Sequence, residues 1–259
     1  MKLNTTILAV IAASIGAASA ASISVNFSEN SGNQNWTSVE NIGPLSVSTA
    51  NFNSSNDPTG GPANTHTIGG NIGTGTIGDL VDSTGAAVAG STVTYGSKEV
   101  WFSGAGTATN EGRLSVGYLD DGINPAGGFV NISVSNVPYA QYSVYIILAS
   151  DQGGGSAYTS RDFDVNGGGT GANVLAYNYF GADVANTAWT QATDTVRGNY
   201  ILKTGQTATT LSIVGPERDG DNRGSLAGII IEDTTPIPEP SSSALLGLGG
   251  LALILRRRK

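Results

Sequence analysis

FVNISVS (Phe129–Ser135) alternates without a break: Val130, Ile132 and Val134 fall on one face, Asn131, Ser133 and Ser135 on the other. A period of two is the mark of a strand with one face in a core and one in water. Shortly after it, QYSVYIILAS (Gln141–Ser150) is apolar on both faces through Tyr142, Val144, Tyr145, Ile146, Ile147 and Leu148. Such a strand belongs in the middle of a sheet, covered on both sides.

The same style of short apolar run closed by turn residues extends in both directions. ISVNF (Ile23–Phe27), EVWFSG (Glu99–Gly104), RLSVGYLDDG (Arg113–Gly122), RDFDVNGGG (Arg161–Gly169), NYILKTG (Asn199–Gly205), TTLSIVG (Thr209–Gly215) and LAGIIIED (Leu226–Asp233) all read as strands. Val174 to Phe180 fits a strand or a short helix. The Gly-, Asn-, Thr- and Pro-rich segment from Asn53 to Gly78 reads as a long loop inside one domain, because too few residues precede it for a separate core. Composition agrees. With 37 Gly, charged residues at only 12 % and abundant Ser, Thr and Asn, long helices are disfavoured. The expectation is an all-β body over residues 21–235, an antiparallel β-sandwich or jelly roll.

The two ends have a different character. MKLNTTILAVIAASIGAASA has a positive start at Lys2, an apolar centre from Ile7 to Ile15, and small residues at Ala18-Ser19-Ala20. That is the plan of a secretory signal helix over residues 1–20, with Ala18 and Ala20 as the small residues of its cleavage site. At the other end, Ala244 to Leu255 carries no charge and is followed by Arg256, Arg257, Arg258 and Lys259. As a helix it spans ~18 Å, short of the ~30 Å hydrocarbon core, and its basic cluster favours a cytoplasmic C-terminus. Pro236, Pro238 and Pro240 keep such a helix from running back into the body.

The order Pro238-Glu239-Pro240, short apolar helix, Arg256-Arg257-Arg258 resembles the PEP-CTERM sorting signal of Gram-negative bacteria, over residues 236–259. The resemblance implies an exported protein held transiently in the inner membrane by a short transmembrane helix. It also implies an exosortase-like enzyme as partner and release to the cell surface, the medium or a biofilm matrix. From Leu114 to Asp233 the run of strands is similar to the bodies of other PEP-CTERM proteins and, more loosely, to carbohydrate-binding jelly rolls of the galactose-binding and malectin-like kind.

Charge and motif content narrow the function further. Net charge is −8, and five of the twelve cations are Lys2, Arg256, Arg257, Arg258 and Lys259. The remaining body is acidic enough to exclude nucleic acid and anionic membranes as partners held by charge alone. There is no Cys, hence no disulfide and no thiolate metal site. His66 stands alone in the polar loop, with no serine or cysteine nucleophile motif to serve. GGNIGTG (Gly69–Gly75) lacks the strand and helix that a phosphate loop needs. No catalytic residue is assigned, and a non-enzymatic surface protein is the leading expectation, with no resident cofactor.

Two acidic turns qualify that expectation. LDDGINPAGG offers Asp120 and Asp121, and PERDGDNRG offers Asp219 and Asp221. Closely spaced carboxylates in a Gly-containing turn suit a hard cation such as calcium, although the same residues also serve hairpin turns for backbone reasons. A pair of carboxylates in a cleft is also what a glycan-active enzyme uses, the third reading in rank. Polysaccharide binding is the alternative to a purely structural body, and it needs exposed aromatics. Trp36 and Trp189 lie among polar residues and are the candidate platforms, whereas Trp101, inside EVWFSG, is expected in the core.

Overall fold

The computed structural model describes residues 21–27, 42–44, 51–55, 73–102, 114, 117–121, 130–150, 157–160, 162–169, 174–177, 188–216 and 222–236. Sixteen strands form among them: β1 (Ser22–Asn26), β2 (Asn53–Ser54), β3 (Gly73–Ile77), β4 (Thr92–Ser97), β5 (Glu99–Phe102), β6 (Gly117–Asp120), β7 (Asn131–Ser135), β8 (Tyr142–Leu148), β9 (Ala157–Ser160), β10 (Asp164–Val165), β11 (Gly168–Gly169), β12 (Val174–Tyr177), β13 (Tyr200–Gln206), β14 (Leu211–Val214), β15 (Asn222–Arg223) and β16 (Leu226–Asp233). The all-β expectation holds. The signal helix (1–20) and nearly all of the sorting segment (237–259) lie outside the described residues.

One sheet runs β13-β8-β16-β1-β2, with β6 pairing the start of β16 and β5 pairing β6. The second runs β11-β10-β14-β7-β4-β3, antiparallel throughout. A small third sheet, β12-β9-β15, includes the run from Val174 as a strand. Register aligns the apolar faces. Across the first sheet Val25, Ile229, Ile146 and Ile201 form one row, and Ile23, Ile231 and Val144 the next. Across the second, Tyr95, Ile132, Ile213 and Val165 line up, beside Ile77, Val93, Val134 and Leu211. All of these belong to one buried cluster, so the two sheets pack face to face. Phe27 meets Tyr95 edge-on across that core, with ring centroids 5.1 Å apart.

Both deciding stretches fold as their patterns require. In β7, Ile132 and Val134 are buried while Asn131, Ser133 and Ser135 are only half-buried. β8 is buried at every residue and sits between β13 and β16. Its outward residues Tyr145 and Ile147 join Tyr118, Ala149, Ala227 and Ile230 in a second cluster on the outer face of the first sheet. Phe52, Trp189, Tyr200 and Leu202 pack over it, which explains why β8 is apolar on both faces.

The Asn53–Gly78 reading needs correction, because its ends are strands: β2 pairs with β1 in parallel and β3 with β4 along its full length. Glycine marks close approach here. A Cβ on Gly75 would run into the Tyr95 ring, and one on Gly73 would meet Ser97 and the Glu99 backbone.

Candidate functional site

Asp120 and Asp121 of the first acidic turn meet Arg223, Gly224 and Ser225 at one buried junction. Asp120 ends β6 and Asp121 follows it. Arg223 ends β15, and Gly224 and Ser225 lead into β16. The Arg223 Nη1 lies 3.5 Å from Asp121 Oδ1 and 4.0 Å from Asp120 Oδ1. The Gly224 amide donates to Asp121 Oδ2 at 2.7 Å. The Ser225 hydroxyl is shared between Asp121 Oδ1 at 2.9 Å and Asp120 Oδ1 at 3.2 Å, and accepts the Asp121 amide at 3.3 Å. Behind it, β15 pairs with β9, and the Ser160 hydroxyl donates to the Arg223 carbonyl at 3.4 Å.

Water has little access to this junction: Asp120, Asp121 and Arg223 are exposed by only 5 %, 0 % and 2 %. Burial pushes the Asp121 carboxyl up to about 6, and the Asp120 carboxylate beside it acts in the same direction. Bonds from Gly224 and Ser225 to the ionised form offset part of that rise. Among the described residues two carboxylates thus face one guanidinium, largely out of water.

The other candidates among the described residues are tryptophans. Trp189 is half-buried and packs against both outer clusters, the one around Tyr145 and the one made by Ile42 and Leu114, so it is part of the packing. Trp101 corrects the core reading: it is 47 % exposed, because β5 is bonded only to β6 among the described strands and lies at the sheet margin. Ala18, Ala20, Trp36, His66, Asp219, Asp221, Pro238, Glu239, Pro240, Arg256, Arg257 and Arg258 lie outside the described residues. Among the described residues no group of three or more His, Cys, Asp or Glu is placed to hold a metal ion, and no helix is long and apolar enough to cross a membrane.

Arg223 and Ser225 were not singled out by sequence reasoning. The available signal was an Arg within the acidic run DGDNRGS, a cation placed where burial of carboxylates would demand one.

Comparison with known proteins places the chain through its last segment. Residues 236–259 match the family model of the PEP-CTERM protein-sorting motif. No curated protein matches the chain. No solved structure matches it. The motif implies an exported protein, one that transits the membrane and is recognised there by an exosortase.

Proposed function

We propose that this chain is a non-enzymatic surface or extracellular-matrix protein. In this reading residues 1–20 are a signal peptide removed on export, and the Ala244–Leu255 segment holds the protein briefly in the inner membrane. An exosortase then cuts near Pro238-Glu239-Pro240 and frees a jelly-roll-like body, residues 21–235, for display. The observation that carries the reading is the sorting-motif match at residues 236–259. Its test is fractionation of a host with its exosortase gene deleted. The account expects the chain to accumulate in the membrane fraction of that strain and to appear at the surface or in the medium of the parent.

Polysaccharide binding by the displayed body is a second reading, favoured by the exposed Trp101. Glu99 stands two residues earlier in β5, on the same face of the strand. An indole face offers an apolar platform to a sugar ring, and a carboxylate accepts hydroxyl protons. Affinity electrophoresis in gels containing neutral polysaccharides tests it: wild-type protein is retarded and Trp101→Ala migrates freely. Equal mobility of the two rejects it.

A further inference from the structure

We propose that the outer face of the second sheet carries a binding groove for an extended neutral glycan, running across β4, β7 and β14. The proposal rests on the polysaccharide reading of the displayed body and adds a second contact to it, away from Trp101. Val100 packs against the shared core, so its neighbour Trp101 points the other way, onto the outer side of the first sheet where it pairs with Tyr118.

Alternation along the strands sets the face. Tyr95, Ile132 and Ile213 turn inward to the core, which sends Thr94, Gly96, Asn131, Ser133 and Ser212 outward. Pairing then lines up hydroxyls across four strands: Thr76 beside Thr94, Thr94 beside Ser133, and Ser133 beside Ser212. Each step between strands is about 4.8 Å, close to the length of one sugar ring along an extended chain. Thr76, Thr94 and Ser212 are exposed, and Gly96, Asn131 and Ser133 are half-buried. Thr94, Gly96, Asn131, Ser133 and Ser212 line a shallow groove of about 190 Å³. Gly96 keeps it open, having no side chain to fill it.

The polar groups decide what fits. Among the described residues, the hydroxyls of Thr94, Ser133 and Ser212 and the Asn131 side-chain amide make no hydrogen bond within the protein. One row along, Thr92 and Ser135 satisfy each other at 2.8 Å. An apolar occupant would strand the open donors and acceptors of the groove, which costs free energy. No side chain in the lining is charged, so a charged polymer gains no counter-charge there, and the acidic chain repels an anionic one. A neutral glycan meets both conditions. Its hydroxyls donate and accept along each edge, and Gly96 with the Thr94 methyl group offers a flat apolar patch to a ring face.

Titration of the full-length protein with cellohexaose and with mannohexaose, followed by amide NMR, tests the groove. High concentrations of these soluble sugars reveal contacts too weak to retard a band in a gel. The amides of Thr94, Ser133 and Ser212 should shift saturably, in the wild type and in Trp101→Ala alike. Ser133→Ala should weaken binding about 5-fold, the usual worth of one neutral hydrogen bond. Gly96→Gln should abolish binding by filling the groove. A Cβ on Gly96 meets nothing nearer than Thr74 Cγ2 at 3.7 Å, an ordinary contact, so the backbone accepts the change. Should Gly96→Gln not fold, Ser133→Ala decides. Shifts confined to the surroundings of Trp101 and lost in Trp101→Ala overturn the groove and leave the polysaccharide reading standing. Saturable shifts with neither sugar overturn the groove as well, and the gel assay then judges the Trp101 platform separately.

Discussion

Gly228 of β16 lies directly against the backbone carbonyl of Val25 in β1, so close that a Cβ on Gly228 would collide with that oxygen. The collision is with backbone inside a five-pair ladder, which cannot move aside without breaking pairing. Gly228→Ala should therefore cost about 1–3 kcal/mol, the usual range for overpacking. Gly78→Ala is the control, since nothing lies within 4 Å of its would-be Cβ, and it should stay within about 0.5 kcal/mol of wild type. Urea unfolding of the two variants checks this pair.

Ile146 sits at the centre of β8, fully buried between Ile201 and Ile229. Ile146→Ala should lose about 2–5 kcal/mol through lost transfer energy and a cavity. Thr94→Ala, on the exposed side of β4, should lose little. Equal losses would contradict the shared core placed between the two sheets.

The tryptophans should separate in the same way. Trp189 bridges two buried clusters, so Trp189→Ala should destabilise by about 1–3 kcal/mol, below the full cost of a completely buried ring. Trp101→Ala should be near neutral for stability and remove fluorescence that is more accessible to quencher than that of Trp189. Thermal melts and iodide quenching of both variants test the assignment.

Arg223→Met leaves Asp120 and Asp121 without their cation, and breaking a buried pair by removing one partner typically costs about 3–5 kcal/mol. The loss should depend on pH. The Asp121 carboxyl is raised in the fold to about 6 from an ordinary 3.8. Its stabilising contribution is thus complete below the ordinary value and is lost as pH rises through about 6. Removing the guanidinium raises the carboxyl further, so the deficit of Arg223→Met should be largest above neutrality and shrink on acidification. Chemical denaturation across that range shows it, and a deficit constant with pH would count against the placement of Arg223.

Much of the fold was legible where local pattern and tertiary role coincide. Val130, Ile132 and Val134 alternate because one side of β7 faces the core, and β8 is apolar on both faces because Phe52, Trp189, Tyr200 and Leu202 pack over its outer side. β3 was not legible, since Gly73, Gly75 and the threonines carry the composition of a loop, and only tertiary neighbours, Ser97 and Glu99 at Gly73 and the Tyr95 ring at Gly75, explain the glycines. Trp101 was misplaced because a strand pattern does not say whether the strand lies centrally or at a margin. In the candidate site Asp120 and Asp121 stood out as an acidic turn, but their partners Arg223 and Ser225 lie 102 and 104 positions away, a distance no local pattern spans.

The central claim is that the C-terminal segment is a sorting signal consumed in transit, leaving the β-sandwich as the working part. The intact mass of the mature protein, recovered from its native host with cells and medium fractionated, tests this most directly. The account predicts surface or medium protein lacking residues 1–20 and the segment beyond Pro238-Glu239-Pro240. Protein retained in the membrane with Lys259 still in place would contradict it.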